Sequence, residues 1–262
     1  MNNYQAPTRF IGKLTKYIES CSSTNVLALE ESLNNDLPEG FAWIAGHQTA
    51  GKGQRGNQWL AEPNQNLLVS YLLKPPHALL ANQFYLSKCV ALGVIRGIQN
   101  WSQKHVGHQL PATIKWPNDI YIDEHKLGGI LIESNFQSGK WAFTIVGIGL
   151  NINQTLFEGL RATSLRQWTP TQNTIDISEV FNHVSTALEL TYELFISKQF
   201  DLIDNQYHDH LFRLNQWHTY EDESGTFFGK IKEVDTQGLI QIERDDLIKG
   251  YDIKELNFIF SE

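Results

Sequence analysis

The feature that most narrows the fold is a glycine-rich stretch set between two apolar runs. Residues 41–48 and 67–73 read as buried strands, because each is a short, nearly continuous apolar segment. Between them Gly51, Gly53 and Gly56 spell G-x-G-x-x-G. A dinucleotide-binding turn needs a helix opening on the last glycine. Here Trp59, Pro63 and Asn64 intervene and a strand follows. No G-K-[ST] occurs, so the loop is not a Walker A loop, and no H-R-D or D-F-G follows to make it a kinase loop. The arrangement is strand–loop–strand. Glycines alone specify no more than a flexible hairpin, but Lys52 and Arg55 lie inside the stretch. Two cations beside exposed backbone N–H groups can hold a carboxylate or a phosphate, and such a loop can exclude water from a reactive intermediate.

The rest of the chain alternates helical and strand patterns. Thr24 is placed to cap a helix over residues 25–33. Pro75-Pro76 ends the second strand, and Phe84, Val90, Val94, Ile98 and Trp101 recur at helical spacing over residues 83–101. Residues 113–116, 120–122, 126–133 and 141–148 read as four further strands, with a short turn at 123–125. Ser178 is expected to cap a second long helix whose buried face carries Phe181, Val184, Leu188, Tyr192 and Phe195. A shorter helix is expected over 202–214. Residues 217–260 then hold short β-like runs punctuated by Gly225, Gly229, Gly238 and Gly250, the pattern of a small barrel. Two domains are therefore expected, residues 1–214 and 215–262.

Composition removes several function classes. The 21 Lys and Arg stand against 29 Asp and Glu, a formal charge of −8, which disfavours DNA binding through the bulk field. No window holds 18 uninterrupted apolar residues, and the first nine residues are polar without a following apolar segment. Neither a membrane span nor a leader is expected. Cys21 and Cys89 are far apart and form no C-x-x-C, which fits a reducing cytoplasm. His105/His108 and His208/His210 lack the partners of a metal ligand set.

The strongest motif is Lys115-Trp116-Pro117-Asn118-Asp119 followed by Lys126-Leu127-Gly128-Gly129-Ile130. Asn118 and Asp119 follow a Trp-Pro break, where side chains can face a pocket. Asp119 could position Mg²⁺ or its waters, or simply close a turn. A lysine entering a strand is usually a snorkelling surface group, but Lys126 before two glycines fits an anion lying against bare backbone. With Ser23-Thr24-Asn25, with Gln48-x-x-Gly51-Lys52-Gly53-x-Arg55-Gly56 and Trp59, and with Gly147-Ile148-Gly149-Leu150-Asn151-Ile152-Asn153, these ordered motifs resemble biotin–protein ligases over about residues 15–260. The likeness is to the short, catalytic-only form, since the roughly twenty residues before Ser23 cannot hold a helix-turn-helix domain.

The resemblance implies an α+β fold: a mixed β-sheet flanked by helices, of the class II synthetase type, followed by a small barrel of the Src-homology-3 type. It implies that biotin's carboxylate attacks the α-phosphate of ATP, and that a lysine of a biotin carboxyl carrier protein then takes the biotinyl group. Ser23, Thr24, Asn25, Gln48, Gly51, Lys52, Gly53, Gln54, Trp59, Lys126 and Gly129 are implied to contact biotin. Arg55, Gly56, Trp59, Asn118, Asp119, Lys126 and Asn151 are implied to contact the nucleotide, with Asn151 near adenine. Lys126, Lys52 and Arg55 would offset the repulsion between two anions, with Mg²⁺ sharing the task near Asp119. The implied protein is cytoplasmic, a monomer or homodimer, with neither DNA nor membrane as partner. Two departures stand out: the family's loop often has arginine where this chain has Lys52 and Gln54, and lysine lacks arginine's bidentate fork. Lipoate–protein ligase is the nearest alternative, but its arginine-arginine and triple-glycine signature is absent. A non-enzymatic biotin sensor would not need Lys126 and the loop cations. The charge balance yields one direct expectation: the purified chain should give no sequence-selective gel shift with duplex DNA at physiological salt, and tight selective binding would contradict it.

Overall fold

The computed structural model describes residues 4–170 and 173–260, apart from the side chain of Arg55. Seven strands form a mixed sheet: β1 (Thr15–Cys21), β2 (Ala42–Gln48), β3 (Asn66–Leu73), β4 (Ala112–Lys115), β5 (Asp119–Ile122), β6 (His125–Gln137) and β7 (Lys140–Asn151). Their order is β1-β2-β3-β7-β6-β5-β4. Only β1 and β2 run parallel; the other neighbours are antiparallel. β3 is buried along its whole length, as its unbroken apolar run requires.

The long helices α2 (Gln83–His105) and α3 (Ile177–Ile196) cover one face of this sheet. They cross closely because Gly93 and Gly97 meet the backbone of Leu188 and Val184, where a Cβ would lie 2.8 and 2.6 Å from their Cα atoms. The stretch His77–His105 is long and apolar enough to cross a membrane, but most of it is buried in this core. The other face carries α1 (Thr24–Asn34), which packs over a smaller cluster of Ala28, Trp43, Leu72, Phe143 and Ile145. α1 covers only part of that face, and the cavity described below opens on the remainder.

Several expectations need correction. Ser23, not Thr24, occupies the N-cap of α1, and its side chain makes no capping bond; Thr24 is the first helical residue. α3 is capped by Asp176, not Ser178: the carboxylate accepts from both Ser178 N and Oγ at 2.8 and 2.7 Å. A carboxylate is the stronger partner for free N–H groups at the positive end of a helix. The helix expected over 202–214 is α4 (Phe200–Asp209). It stops because residues 210–212 turn to pair with Ile114 on β4, and Arg213 and Asn215 adopt positive φ of 61° and 56°. β1 was not foreseen. It is an edge strand with no fully buried residue, so its sequence carries no apolar alternation.

After residue 214 the chain forms a second, wholly antiparallel sheet from β8 (Trp217–Asp222), β9 (Gly225–Val234), β10 (Ile240–Arg244), β11 (Leu247–Tyr251) and β12 (Asn257–Phe258), in the order β11-β10-β9-β8-β12. Its inner residues Tyr220, Ile231, Val234 and Ile242 belong to the same apolar cluster as α2 and α4. A polar tie crosses this junction. Lys88 of α2 is fully buried, pairs with Asp204 at 2.5 Å and donates to Val234 O at 2.8 Å. Its ammonium also lies 5.2 and 5.3 Å from the ring centroids of Tyr85 and Tyr207. Asp204 is only about a quarter exposed, so removing the lysine leaves its charge largely unpaired in the interior. Lys88→Met should therefore cost about 3 kcal/mol in urea unfolding, with tryptophan fluorescence and circular dichroism lost in one transition. A cost under about 1 kcal/mol, or two separated transitions, would show that the tie does not couple the two sheets.

Candidate active site

The cavity has a floor made of missing side chains. Gly129 on β6 pairs with Gly149 on β7, and Leu131 with Gly147. Side chains alternate across a strand, so Gly147 and Gly149 share one face while Val146, Ile148 and Leu150 fill the core behind it. Two groups press into the space left free. A Cβ at Gly147 would lie 2.1 Å from Asn25 Oδ1, and one at Gly149 would lie 2.7 Å from the Trp59 indole. The glycines thus seat the start of α1 and the end of the glycine-rich loop on bare sheet.

One end of the cavity is neutral and polar. Gln48, ending β2, accepts from Thr24 N and Oγ1 at 2.7 and 3.1 Å. Ser70 Oγ lies 2.8 Å from Thr24 Oγ1 and 2.6 Å from Asn25 Oδ1. Asn25 Nδ2 donates to Glu133 Oε2 at 2.8 Å. Ser23 is 2% exposed, lines the cavity and has no capping duty. Thr24, Asn25, Gln48 and Ser70 are thus oriented by one another, which suits recognition of a neutral donor–acceptor ring.

The middle and far end are cationic. Lys126 Nζ lies 2.7 Å from Asp119 Oδ1 and 5.7 Å from the Trp59 ring centroid. Its backbone is clamped by the 154–163 loop: Lys126 N donates to Arg161 O at 3.0 Å, and Thr163 N donates to Lys126 O at 2.9 Å. Asn118 donates its amide to Ile130 O at 2.6 Å and receives Ile130 N in return. Lys115 also lines the cavity, with its ammonium 4.5 Å from the Phe258 ring centroid. Burial pushes the Lys115 pKa down, and nearby Lys126 and Arg213 add to this while Asp119 opposes it. The Trp59 indole N–H is buried without a partner, an orphaned donor beside the lysine.

The structure thus gathers Ser23, Thr24, Asn25, Gln48, Lys52, Gly53, Gln54, Trp59, Asn118, Asp119, Lys126 and Gly129 around one cavity of about 300 Å³. Gly51 and Gly56 lie on the same loop; Gly51 O accepts from Trp59 N, and Gly56 has φ of 87°. The side chain of Arg55 falls outside the described residues. Asn151 does not line the cavity: it is buried, and its amide donates to Thr163 O at 3.0 Å and reaches Lys126 O at 3.5 Å. Its place is behind Lys126, bracing the loop that holds that lysine. Asp119 is engaged by Lys126, and among the described residues no group of three His, Cys, Asp or Glu could hold a metal. The residues present therefore make no metal cage of their own. Sequence reading missed Ser70, Glu133, the 154–163 loop and the residues Ile253, Lys254, Leu256 and Asn257, which complete the cavity wall from the second sheet. Ser70 left a trace as the one polar residue inside β3's apolar core run; the 253–257 segment left none.

Fold and site together define a cavity of bare sheet beneath fixed cations, suited to anionic small molecules. Residues 17–151 match the Biotin/lipoate A/B protein ligase family, and the chain belongs to it. It is 30% identical over 247 residues to the bifunctional ligase/repressor BirA of Bacillus spizizenii, covering 92% of this chain and 73% of that relative. The biotin protein ligase of Aquifex aeolicus, solved in complex with biotin and ATP, superposes with a TM-score of 0.76 at 26% identity, covering 95% of this chain and 100% of the other. An R40G mutant of the same Aquifex enzyme in complex with biotin gives a TM-score of 0.75 at 26% identity, covering 95% of this chain and 99% of that one.

The glycine floor yields a ranked expectation. Gly147→Ala should be worse than Gly149→Ala, because Asn25 is fixed by Ser70, Leu131 and Glu133 whereas Trp59 sits on a loop. Overpacking of this kind costs about 1–3 kcal/mol, with Gly147→Ala at the upper end in urea unfolding. Equal, negligible losses would mean that the floor has slack.

Proposed function

We propose that this chain activates biotin with ATP to biotinyl-5'-AMP and transfers the biotinyl group to a lysine of a biotin carboxyl carrier protein. The observation that carries this reading is Lys126, held by its backbone at the boundary between a neutral polar pocket and a cationic one. In the first step a biotin carboxylate oxygen attacks the α-phosphorus, the Pα–O bond to the β-phosphate breaks, and pyrophosphate departs. Lys126, kept in the cavity by Asp119 until substrate arrives, neutralises the carboxylate and the α-phosphate where charge builds up. Lys52 stands over the same cavity from the loop; Arg55, carried by that loop, is read as its companion. The Trp59 N–H supplies a donor that has no protein partner. Ser23, Thr24 and Gln48 are read as the pocket for the ureido ring. In the second step the acceptor amine attacks the anhydride carbonyl, the bond to AMP breaks with its electron pair leaving on phosphate, and the amine proton passes to solvent. Magnesium enters only as the companion of the ATP phosphates.

This reading extends to organisation and setting. Residues 1–214 would bind both substrates, and residues 215–262 would close the nucleotide end. The free Cys21 and Cys89 fit a reducing cytoplasm, where a monomer or homodimer would act. Mass spectrometry of the protein incubated with biotin, ATP and Mg²⁺ should detect biotinyl-5'-AMP, and lipoate should not substitute. Lys126→Ala should slow single-turnover adenylation by about 30- to 1,000-fold, the loss of about 2–4 kcal/mol of transition-state stabilisation, with a smaller effect on biotin affinity. Adenylation of lipoate in preference to biotin, or near-native turnover in the variant, would overturn these assignments.

A further inference from the structure

Lys254 lies outside every motif of the first sheet, yet it lines the same cavity as Lys126 and Asn118. It sits in the turn Asp252–Glu255, closed by Glu255 N donating to Asp252 O at 3.0 Å. Two further bonds stiffen this turn: Asp252 N to Glu255 Oε2 at 2.7 Å, and Ile253 N to Asp252 Oδ1 at 2.6 Å. Lys254 is the third residue of the turn, and its φ is 76°, the largest of any non-glycine among the described residues. A turn with positive φ at that position favours glycine, so a lysine there is conformationally strained. Its side chain is exposed, and no ion pair engages its ammonium among the described residues.

The location of this lysine follows from the strand order. The cavity runs across the sheet from Gln48 at the end of β2, past the glycines of β7 and β6, to Asp119 on β5 and Lys115 on β4. The segment that carries Lys254 lies over the β5–β4 end: Phe258 covers the Lys115 ammonium, and Phe260 stacks on Tyr121. The neutral amides are thus at one end, Lys126 is between, and Lys254 is beyond it. Among the described residues the cavity lining holds four lysines, 52, 115, 126 and 254, against one carboxylate, Asp119, in a chain of net charge −8. Such a local excess suits a polyanion rather than a single carboxylate.

We propose that Lys254 binds the β- and γ-phosphates of the nucleotide and the pyrophosphate that leaves, making the second sheet a working part of the site. The proposal rests on the adenylation reading above. Lys254→Gly relieves the positive φ while removing the charge, so the melting temperature should hold or rise. Its KM for ATP in biotin-dependent ATP–pyrophosphate exchange should rise about tenfold, the loss of one charge-assisted contact. The dissociation constant for magnesium pyrophosphate, measured by calorimetry, should rise in parallel. Biotin affinity should stay native, and Lys254→Arg should retain ATP binding. Native pyrophosphate affinity in Lys254→Gly, or a parallel loss of biotin affinity, would overturn the assignment. If the native chain supported no biotin-dependent exchange, the adenylation reading would fail instead, and the direct pyrophosphate titration of both proteins would still decide the role of Lys254.

Discussion

The arrangement around the cavity depends on one constraint, the absence of side chains on one face of two paired strands. Gly147, Gly149 and Gly129 leave a flat strip of backbone in the middle of a sheet whose opposite face is close-packed against α2 and α3. Strand periodicity lets β7 serve both ends at once, with Val146, Ile148 and Leu150 in the core and the intervening glycines under the ligand face. A Cβ at Gly147 would push out Asn25 and one at Gly149 would push out Trp59, whereas one at Gly129 would make only ordinary contacts. Because Asn25 begins α1 and Trp59 ends the glycine-rich loop, the strip determines where both elements stand.

On the proposed reaction, the second requirement is to hold a positive charge at the junction of two anions without letting it wander. Lysine is flexible, so its restraint comes from the backbone. Lys126 is bonded on both sides by the 154–163 loop, that loop is bonded by Asn151, and Asp119 receives the ammonium. The electrostatics are local: an acidic chain holds a cationic cavity because its acids are elsewhere on the surface, and the short distances inside the cavity outweigh the net charge.

Much of this could be read from the chain, for physical reasons that differ from place to place. A lysine before a glycine pair points to an anion lying against bare backbone, whereas the alternate glycines of β7 enter only through the family resemblance. The apolar runs of β3 and α2 likewise announce themselves. The edge strand β1 could not be read, since half-exposed edges need no pattern. The caps of α1 and α3 were misread by a residue or two because several polar residues compete there and only geometry selects among them. The family resemblance alone places Asn151 near the nucleotide; its bond to Thr163 O lies on a loop with no motif, so nothing along the chain signals that contact.

The second sheet is the least legible part, and its bonds argue that it belongs to the site. Trp116 opens the turn that delivers Asn118 and Asp119, and its indole donates to Gly238 O on the β9–β10 turn at 2.9 Å. Gly238 in turn lies against Phe84 of α2, where a Cβ would come within 2.5 Å of the ring. On the far side, Glu124 joins Arg213 at 2.7 Å and Arg161 at 3.4 Å, and both guanidinium groups lie within about 5 Å of the Phe260 ring centroid. The segment from Trp116 to Lys126 is thus supported from behind by one turn of the second sheet and flanked by its last residues. A motif with two fixed ends can present Asn118, Asp119 and Lys126 in one geometry before substrate arrives, which is the condition for electrostatic stabilisation without reorganisation. The second sheet supplies that rigidity through contacts that involve backbone carbonyls and aromatic faces, groups that leave no pattern along a sequence.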